Sequence, residues 1–225
     1  AGQGRLPKPH DQQCWCKGFI RYHHQWQLLV NVMTPMPNRQ RGFSLLELMV
    51  TLSVAAILLV IAVPSFRDLM HRSQVSSANN ELLASLAYAR TEAINRGQLV
   101  SMCPSANGAA ACAGGTAFDT GWIVYTYPAG AASANVAYDA SSILLRATTV
   151  RTGVSIQSKS ATVITFGQQG QLKPSSPTLT FVTCYRNGSS GTGQSTAKVP
   201  GAQLDVQGSG SVTSKTLADG VSCAP

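Results

Sequence analysis

A zinc site is the first chemistry that the residue types suggest. Four side chains near the start of the sequence are ones that zinc prefers, Cys14, Cys16, His23 and His24. They fall in residues 1–32, a segment that lacks an initiating Met, whereas Met33 or Met36 could begin a short leader. We therefore interpret residues 1–32 as a mistaken upstream extension, and we expect no bound metal.

Groups suited to catalysis are sparse in the rest of the sequence. His71 is the only histidine after Phe43, and the acidic residues there are spread without a paired arrangement. The sequence contains no glycine-rich phosphate loop and no nucleophile elbow. We predict that the protein is not an enzyme and uses no cofactor.

Composition sets wide limits on the class of protein. The 225 residues are 44% hydrophobic and only 12% charged, which excludes general disorder and allows one domain plus a membrane segment. The formal net charge is +8, but six of the 17 cations and one of the nine acids precede Phe43. The remainder carries only +3, so charge alone does not indicate a nucleic-acid or membrane-surface role.

One apolar segment dominates the sequence. Residues 43–66 contain a single charge, Glu47, and as a helix they would extend about 36 Å, enough to cross a hydrocarbon core of about 30 Å. A secretory signal peptide cleaved near Val60–Ala62 is the competing interpretation. The run is longer than a signal core and contains an acid that costs about 3 kcal/mol at a membrane centre, so we favour a transmembrane helix.

Four further cysteines indicate the compartment. Gly/Ser/Thr-rich sequence surrounds Cys103, Cys112, Cys184 and Cys223. Such sequence is typical of exported domains in an oxidising compartment. Three pairings are possible, and we prefer the local ones, Cys103 with Cys112 and Cys184 with Cys223.

The orientation of the helix follows from these cysteines. The basic residues before the helix, Arg39 and Arg41, are balanced by Arg67 and Arg72 after it, so the positive-inside rule does not decide. An oxidising environment for the later cysteines places the C-terminal part outside the cytoplasm. We predict a single-span protein with a cytoplasmic leader.

An amphipathic pattern continues the helix beyond the span, over residues 67–97. Its apolar residues recur at steps of three and four: Val75, Ala78, Leu82, Leu86, Ala89 and Ala93. Gly97 is a stop signal, and Pro64 would kink the helix or mark a short melted stretch. We expect this stripe to pack against a globular head.

Residues 98–225 are predicted to form a β-rich head. The predicted strands are QLVSMC, GWIVYTY, ILLRATT, TVITF, TLTFVTC and AQLDVQ, separated by surface loops at 104–120, 129–135 and 187–196. Trp122, Ile123 and Tyr125 are interpreted as half-buried strand residues. The predicted fold class is α+β, with one long helix, transmembrane in its first half, packed on an antiparallel sheet.

Residues 41–48, Arg-Gly-Phe-Ser-Leu-Leu-Glu-Leu, resemble the processing site of type IV pilins and type II secretion pseudopilins. The resemblance implies a leader, residues 1–42, that prepilin peptidase removes between Gly42 and Phe43. It implies N-methylation of Phe43 and assembly of the mature helix into a filament. It also implies that the amine of Phe43 in one subunit meets Glu47 of another.

The head is similar to the FimT/GspH group of minor pilins and pseudopilins. Four segments carry this likeness: residues 89–97, 100–103, 121–125 and 166–170. The resemblance implies a low-abundance subunit, closest to FimT, that helps to initiate or cap a type IV pilus. Its partners would be the major pilin, other minor pilins and an inner-membrane assembly platform. The head would be periplasmic before assembly; a GspH-type pseudopilin of a secretion system is the alternative.

Some FimT-like proteins bind DNA through a Gly-Arg-x-Arg element. The corresponding residues 210–213 are Gly-Ser-Val-Thr, which lack both arginines. Residues 143–225 nevertheless carry a local charge of +5. DNA uptake therefore stays open as a further alternative, with Arg186, Lys198 and Lys215 as candidate contacts, although scattered surface cations account for the same charge.

Overall fold

The computed structural model describes residues 42–175, 178–188 and 190–224. Within these ranges the chain forms one helix and nine strands. The bounds are α1 Leu45–Arg96, β1 Val100–Pro104, β2 Trp122–Thr126, β3 Ile143–Thr148, β4 Val154–Ser158, β5 Ile164–Phe166, β6 Leu172–Lys173, β7 Thr178–Tyr185, β8 Ala202–Gln207 and β9 Val212–Thr216. By its contacts the chain divides between Ala55 and Ala56 into two units.

Ser44 caps the N-terminus of α1. Its hydroxyl accepts a hydrogen bond of 3.1 Å from the backbone N–H of Glu47, and its carbonyl accepts one of 3.1 Å from the N–H of Leu48. Ser followed three residues later by Glu is the sequence pattern of a capping box. This cap satisfies a helix donor that would otherwise need water.

The apolar segment of α1 satisfies its polar groups within the helix. The hydroxyls of Thr51 and Ser53 donate to the carbonyls of Leu48 and Val50, at 2.9 and 2.8 Å. Hydrocarbon offers no partner for such groups, so this arrangement suits a membrane. The helix continues through Pro64 without the melted stretch that the sequence analysis allowed, because one missing donor does not end a long helix.

The second half of α1 packs into the core as predicted. All six residues of the predicted stripe are buried, with at most 2% of their surface exposed. Five of them, all but Val75, form one cluster with side chains from the strands, including Met102, Trp122, Ile156, Phe166, Phe181 and Leu204. The prediction of a long helix packed on antiparallel β-structure is confirmed.

Gly97 ends the helix in a Schellman motif. Its N–H donates to the carbonyl of Ile94, and the N–H of Gln98 donates to the carbonyl of Ala93, both at 3.3 Å. Gly97 has a φ of 60°, a left-handed conformation that glycine adopts at little cost. The chain thereby turns from the helix into β1.

The head contains two antiparallel sheets rather than one. One has the order β3-β2-β1-β5-β6 and the other the order β4-β7-β8-β9. All six predicted strands are present, and the structure adds β4, β6 and β9. The sequence analysis described a single sheet because it did not detect these three strands, which contain few apolar residues: β4 reads VSIQS, β6 has two residues and β9 reads VTSKT.

Strand β2 is buried on both faces, which corrects the prediction of half-buried residues. Trp122 lies in the main core, whereas Ile123 and Tyr125 lie in a second cluster on the opposite face. The chain that follows β2 covers that face, because the hydroxyls of Tyr125 and Tyr127 both donate to the carbonyl of Val136 at 2.7 Å. A sheet covered on both sides shows no alternation of apolar and polar residues.

Two disulfide bonds close loops of the head. They join Cys103 to Cys112, with Cα atoms 5.6 Å apart, and Cys184 to Cys223, with Cα atoms 6.1 Å apart. This is the local pairing that the sequence analysis preferred. Loops of these lengths give a stabilisation of roughly 3 and 4 kcal/mol through the entropy of the unfolded chain.

Candidate functional site

The predicted processing segment is accessible. Gly42, Phe43 and Ser44 precede the helix, and 78% of the Phe43 surface is exposed. A Cβ added to Gly42 would meet no atom within 4 Å. The bond between Gly42 and Phe43 therefore lies in exposed chain outside the helix, which an enzyme could bind. The leader before it, with Arg39, Arg41 and the four zinc-type side chains, lies outside the described residues.

Glu47 stands in the first turn of α1 with its side chain exposed. Its carboxylate has no ion-pair partner in the part of the chain that the structure describes. The positive end of the helix dipole lies beside it and stabilises a negative charge, although only by about 0.3–1 kcal/mol. A cation from another molecule would have free access to this carboxylate.

The apolar surface around Glu47 is continuous. Every residue from Phe43 to Phe66 is exposed in the single chain, and the helix is long and apolar enough to cross a membrane. A helix that is apolar on all sides needs either lipid or other apolar helices around it. The segment can therefore act as a membrane anchor and as part of a helical bundle.

Arg186, a candidate DNA contact, is largely buried. Its guanidinium forms an ion pair of 2.6 Å with Asp119, and the side chains are 10% and 4% exposed. A second nitrogen donates to the carbonyl of Gly191, at 3.2 Å, and Gln157 donates to Asp119 at 3.1 Å. The charge of Arg186 is thus compensated inside the head.

The other two candidates, Lys198 and Lys215, are exposed, but each has a different surrounding. Lys215 on β9 forms an ion pair of 3.1 Å with Asp205 and remains 60% exposed. Lys198 lies in the loop before β8, where its backbone carbonyl accepts a hydrogen bond from Arg72 of α1. The three predicted DNA contacts therefore lie in three different local environments.

The ion pair of Lys215 predicts an acid-sensitive contribution to stability. Burial raises the pKa of the Asp205 carboxyl, but hydrogen bonds from Gln203 and Thr180 and the ammonium of Lys215 outweigh it, so the pKa lies below its ordinary value of 3.8. A pKa that folding lowers gives stability that is present above the unfolded value and is lost as the pH falls through the folded one.

We therefore expect the free energy of unfolding to fall as the pH is lowered below about 4, and to fall less steeply in Asp205→Asn. Urea unfolding of the detergent-solubilised chain at about pH 6 and about pH 3 measures both slopes. Asp139, whose pKa hydrogen bonds from Ser141 also lower, remains in both proteins. If the free energy of unfolding changed equally with pH in both proteins, Asp205 would make no contribution to the loss of stability in acid.

Arg90 is a positioning residue that the sequence analysis did not single out. From α1 its guanidinium donates to the carbonyls of Gly170 and Ser209, at 3.0 and 3.3 Å, and so holds two β-turns against the helix. Gly170 has a φ of 77°, and an added Cβ there would lie 2.9 Å from the Arg90 side chain. The resemblance segments 89–97 and 166–170 thus meet at one contact. The sequence feature that could have identified Arg90 is an arginine directly after the apolar residue Ala89, together with glycine-containing turns at Gly170 and Gly210.

Comparison with known proteins gives two family matches. The family of the type II transport protein GspH matches residues 78–214, more than half of the chain. The prokaryotic N-terminal methylation motif matches residues 37–63. The first match covers the packed half of α1 and the head up to β9, and the second covers the predicted cleavage site and most of the apolar segment.

Individual relatives match shorter stretches. The chain is similar to a type IV major alpha-pilin of Moraxella bovis, with 40% identity over 47 residues, 21% of this chain and 30% of that protein. It is similar to a fimbrial protein of Pseudomonas aeruginosa, with 36% identity over 62 residues, 28% and 40% of the two chains. The chain thus spans well under half the length of these curated relatives.

Among solved structures, the chain is similar to the type IV minor pilin FimU of Pseudomonas aeruginosa. The two share 22% sequence identity with a TM-score of 0.47, over 68% of this chain and 96% of that one. GspH proteins and pilins are structural subunits, so the prediction that the chain is not an enzyme is confirmed. With the GspH match over more than half of the chain and the methylation motif at its helix, the chain belongs to the family of the type II transport protein GspH.

Proposed function

We propose that the protein is a minor subunit of a type IV pilus that helps to initiate or cap the filament. In this proposal, prepilin peptidase cleaves the chain between Gly42 and Phe43, and the new N-terminus is methylated. The observation that carries the proposal is the exposed Gly42–Ser44 segment directly before a capped helix whose first part, up to Phe66, is apolar with a single charge, Glu47.

The exposed apolar surface of the helix is suited to two successive environments, first lipid and then neighbouring helices. Before assembly, residues 43–66 would cross the inner membrane, with the disulfide-bonded head on the periplasmic side. After assembly, the same surface would be covered by helices of the major pilin and other minor pilins. The transfer needs an assembly platform in the inner membrane, because the helix has to leave lipid without meeting water.

Glu47 supports a mechanism for joining subunits. A carboxylate near hydrocarbon is costly unless it is paired, and the helix dipole compensates only part of its charge. Cleavage before Phe43 creates an ammonium group four residues away on every mature subunit. Pairing the ammonium of one subunit with Glu47 of the next would remove two unfavourable charges from the membrane at once.

A pseudopilin of a type II secretion system is the second candidate. The observation that favours it is the GspH family match over residues 78–214, since that family is described as a type II transport protein. Both candidates use the same processing and the same helix. Restoration of twitching motility, rather than of protein secretion, in a strain that lacks the gene would separate them.

N-terminal sequencing and intact mass of the membrane-extracted protein test the processing step. We expect a chain that begins at Phe43 and carries one methyl group. Gly42→Val should remain uncleaved, and because Gly42 has open space around it, this loss would report peptidase recognition rather than misfolding. A chain that begins at Val63 would contradict the proposal and indicate a conventional signal peptide.

A further inference from the structure

A group of cations lies where the apolar segment of α1 ends. Phe66 is its last residue, Arg67 follows directly, and Arg72 stands about one and a half turns further along the helix. Both arginines are exposed. Neither forms an ion pair within the described ranges of the chain.

The loop before β8 is fastened to this part of the helix. The guanidinium of Arg72 donates to the backbone carbonyls of Lys198 and Ala197, the second at 3.4 Å. One residue earlier, the ring of His71 stacks on Tyr185 at the end of β7, with ring centroids 3.9 Å apart. These contacts hold the backbone of Lys198 beside Arg72, and the Lys198 side chain extends from this point into solvent.

The distances along the helix match the dimensions of a bilayer. Arg72 is the fifth residue after Arg67, which corresponds to about 7.5 Å along the helix axis. The headgroup layer on each side of a bilayer is roughly 5–8 Å thick. If the hydrocarbon ends at Phe66, Arg67 enters this layer and Arg72 and Lys198 reach its outer part.

The composition of this surface suits an anionic lipid. On the helix between Arg67 and Arg72 there is one acid, Asp68, which is half-exposed. Leu69 and Met70 are 59% and 48% exposed, so apolar side chains alternate with the cations. Side chains that combine apolar stems with cationic ends are favoured at membrane interfaces.

We infer that Arg67, Arg72 and Lys198 form a binding surface for the phosphates of anionic phospholipids, which holds the base of the head against the membrane before assembly. The inference rests on the proposed membrane span of residues 43–66. Each cation that contacts an anionic surface should favour the docked state by about fivefold. Extraction into a filament would then require these lipid contacts to be released.

Hydrogen exchange of the full-length protein in lipid nanodiscs tests this surface. One set of discs contains phosphatidylcholine alone and the other includes phosphatidylglycerol. We expect the amides of Ala197 and Lys198 to exchange more slowly in the anionic discs, by about fivefold or more, since one cation alone should favour docking by about fivefold. The double variant Arg67→Gln, Lys198→Gln should lose this difference, and Lys159→Gln should keep it.

Lys159 is a matched control because it is an exposed cation that follows the far end of β4. Ser158 of β4 pairs with Phe181, whereas Tyr185, the residue stacked on His71, pairs with Val154. Equal exchange in both kinds of disc, by a protein that has inserted normally, would overturn the inference and leave the proposed function intact. Failure to insert would contradict the proposed span instead. Protection that requires two copies per disc, irrespective of lipid charge, would assign the surface to a neighbouring subunit and also overturn the inference.

Discussion

The Glu47→Ala protein should be cleaved and methylated at Phe43 and still be reduced in sheared filaments by at least roughly tenfold. The carboxylate is exposed, and the contact that caps the helix uses only the backbone N–H of Glu47, so the variant should fold normally. What it loses is the anion for the ammonium of the next subunit. An unpaired charge costs up to about 3 kcal/mol at a membrane centre, and a tenfold effect requires only about 1.4 kcal/mol, so loss of the pair can supply an effect of this size.

Two control variants separate charge from helix capping. Glu47→Gln keeps the shape of the side chain and should fail like Glu47→Ala, because only the charge is lost. Ser44→Ala removes the hydroxyl that accepts from Glu47 but keeps the carboxylate, at a cost of about 1 kcal/mol to the helix end. It should enter filaments nearly as well as the wild type. Immunoblots of membranes and sheared filaments measure all three, and normal incorporation of Glu47→Ala would contradict the charge-pair mechanism.

The helix and its packed face were predictable because their signals are local. Leu82, Leu86 and Ala89 recur at helical spacing, and Gly97 ends the pattern; the structure buries the first three and caps the helix at the fourth. A helical face is defined within a few turns of sequence, so its periodicity survives any later arrangement of the head. The capping serine could have been predicted too, since Ser44 and Glu47 have capping-box spacing.

The division of the head into two sheets was not predictable from the same signals. Strand β4 carries Ser155, Gln157 and Ser158, which are all buried. Gln157 donates to Asp119 and to Ser155, and the Ser158 hydroxyl accepts from the N–H of Ala161. A search for apolar periodicity assigns such polar residues to loops or to exposed positions, and it therefore does not detect this strand.

The buried ion pair of Asp119 and Arg186 could not be predicted either. Its residues are 67 positions apart, and only the folded head brings them together. Arg186 therefore looked like a free surface cation.

Arg186→Ala should destabilise the head strongly, by about 3–5 kcal/mol, which is the usual cost of leaving one charge of a buried ion pair without its partner. Asp119 would retain its contact with Gln157 but lose the guanidinium 2.6 Å away, with 4% of its side chain exposed to water. Urea unfolding of the solubilised protein measures the loss. Lys215→Ala is the matched surface control, because its pair with Asp205 is exposed, and it should cost about 1 kcal/mol or less.

The double variant Arg186→Met, Asp119→Leu decides whether the ion pair is the cause, because replacing both charges with apolar groups is often neutral or stabilising. It should recover most of the stability that Arg186→Ala loses; no recovery would mean that the contact of Arg186 with Gly191 matters more. The double variant also makes a DNA test interpretable, since loss of binding by Arg186→Ala alone could reflect unfolding. If DNA uptake is the function, a gel shift at about 50 mM salt should persist in the folded double variant and weaken in Lys198→Gln, Lys215→Gln. No shift by the wild type at that salt concentration would exclude DNA binding as the role of these cations.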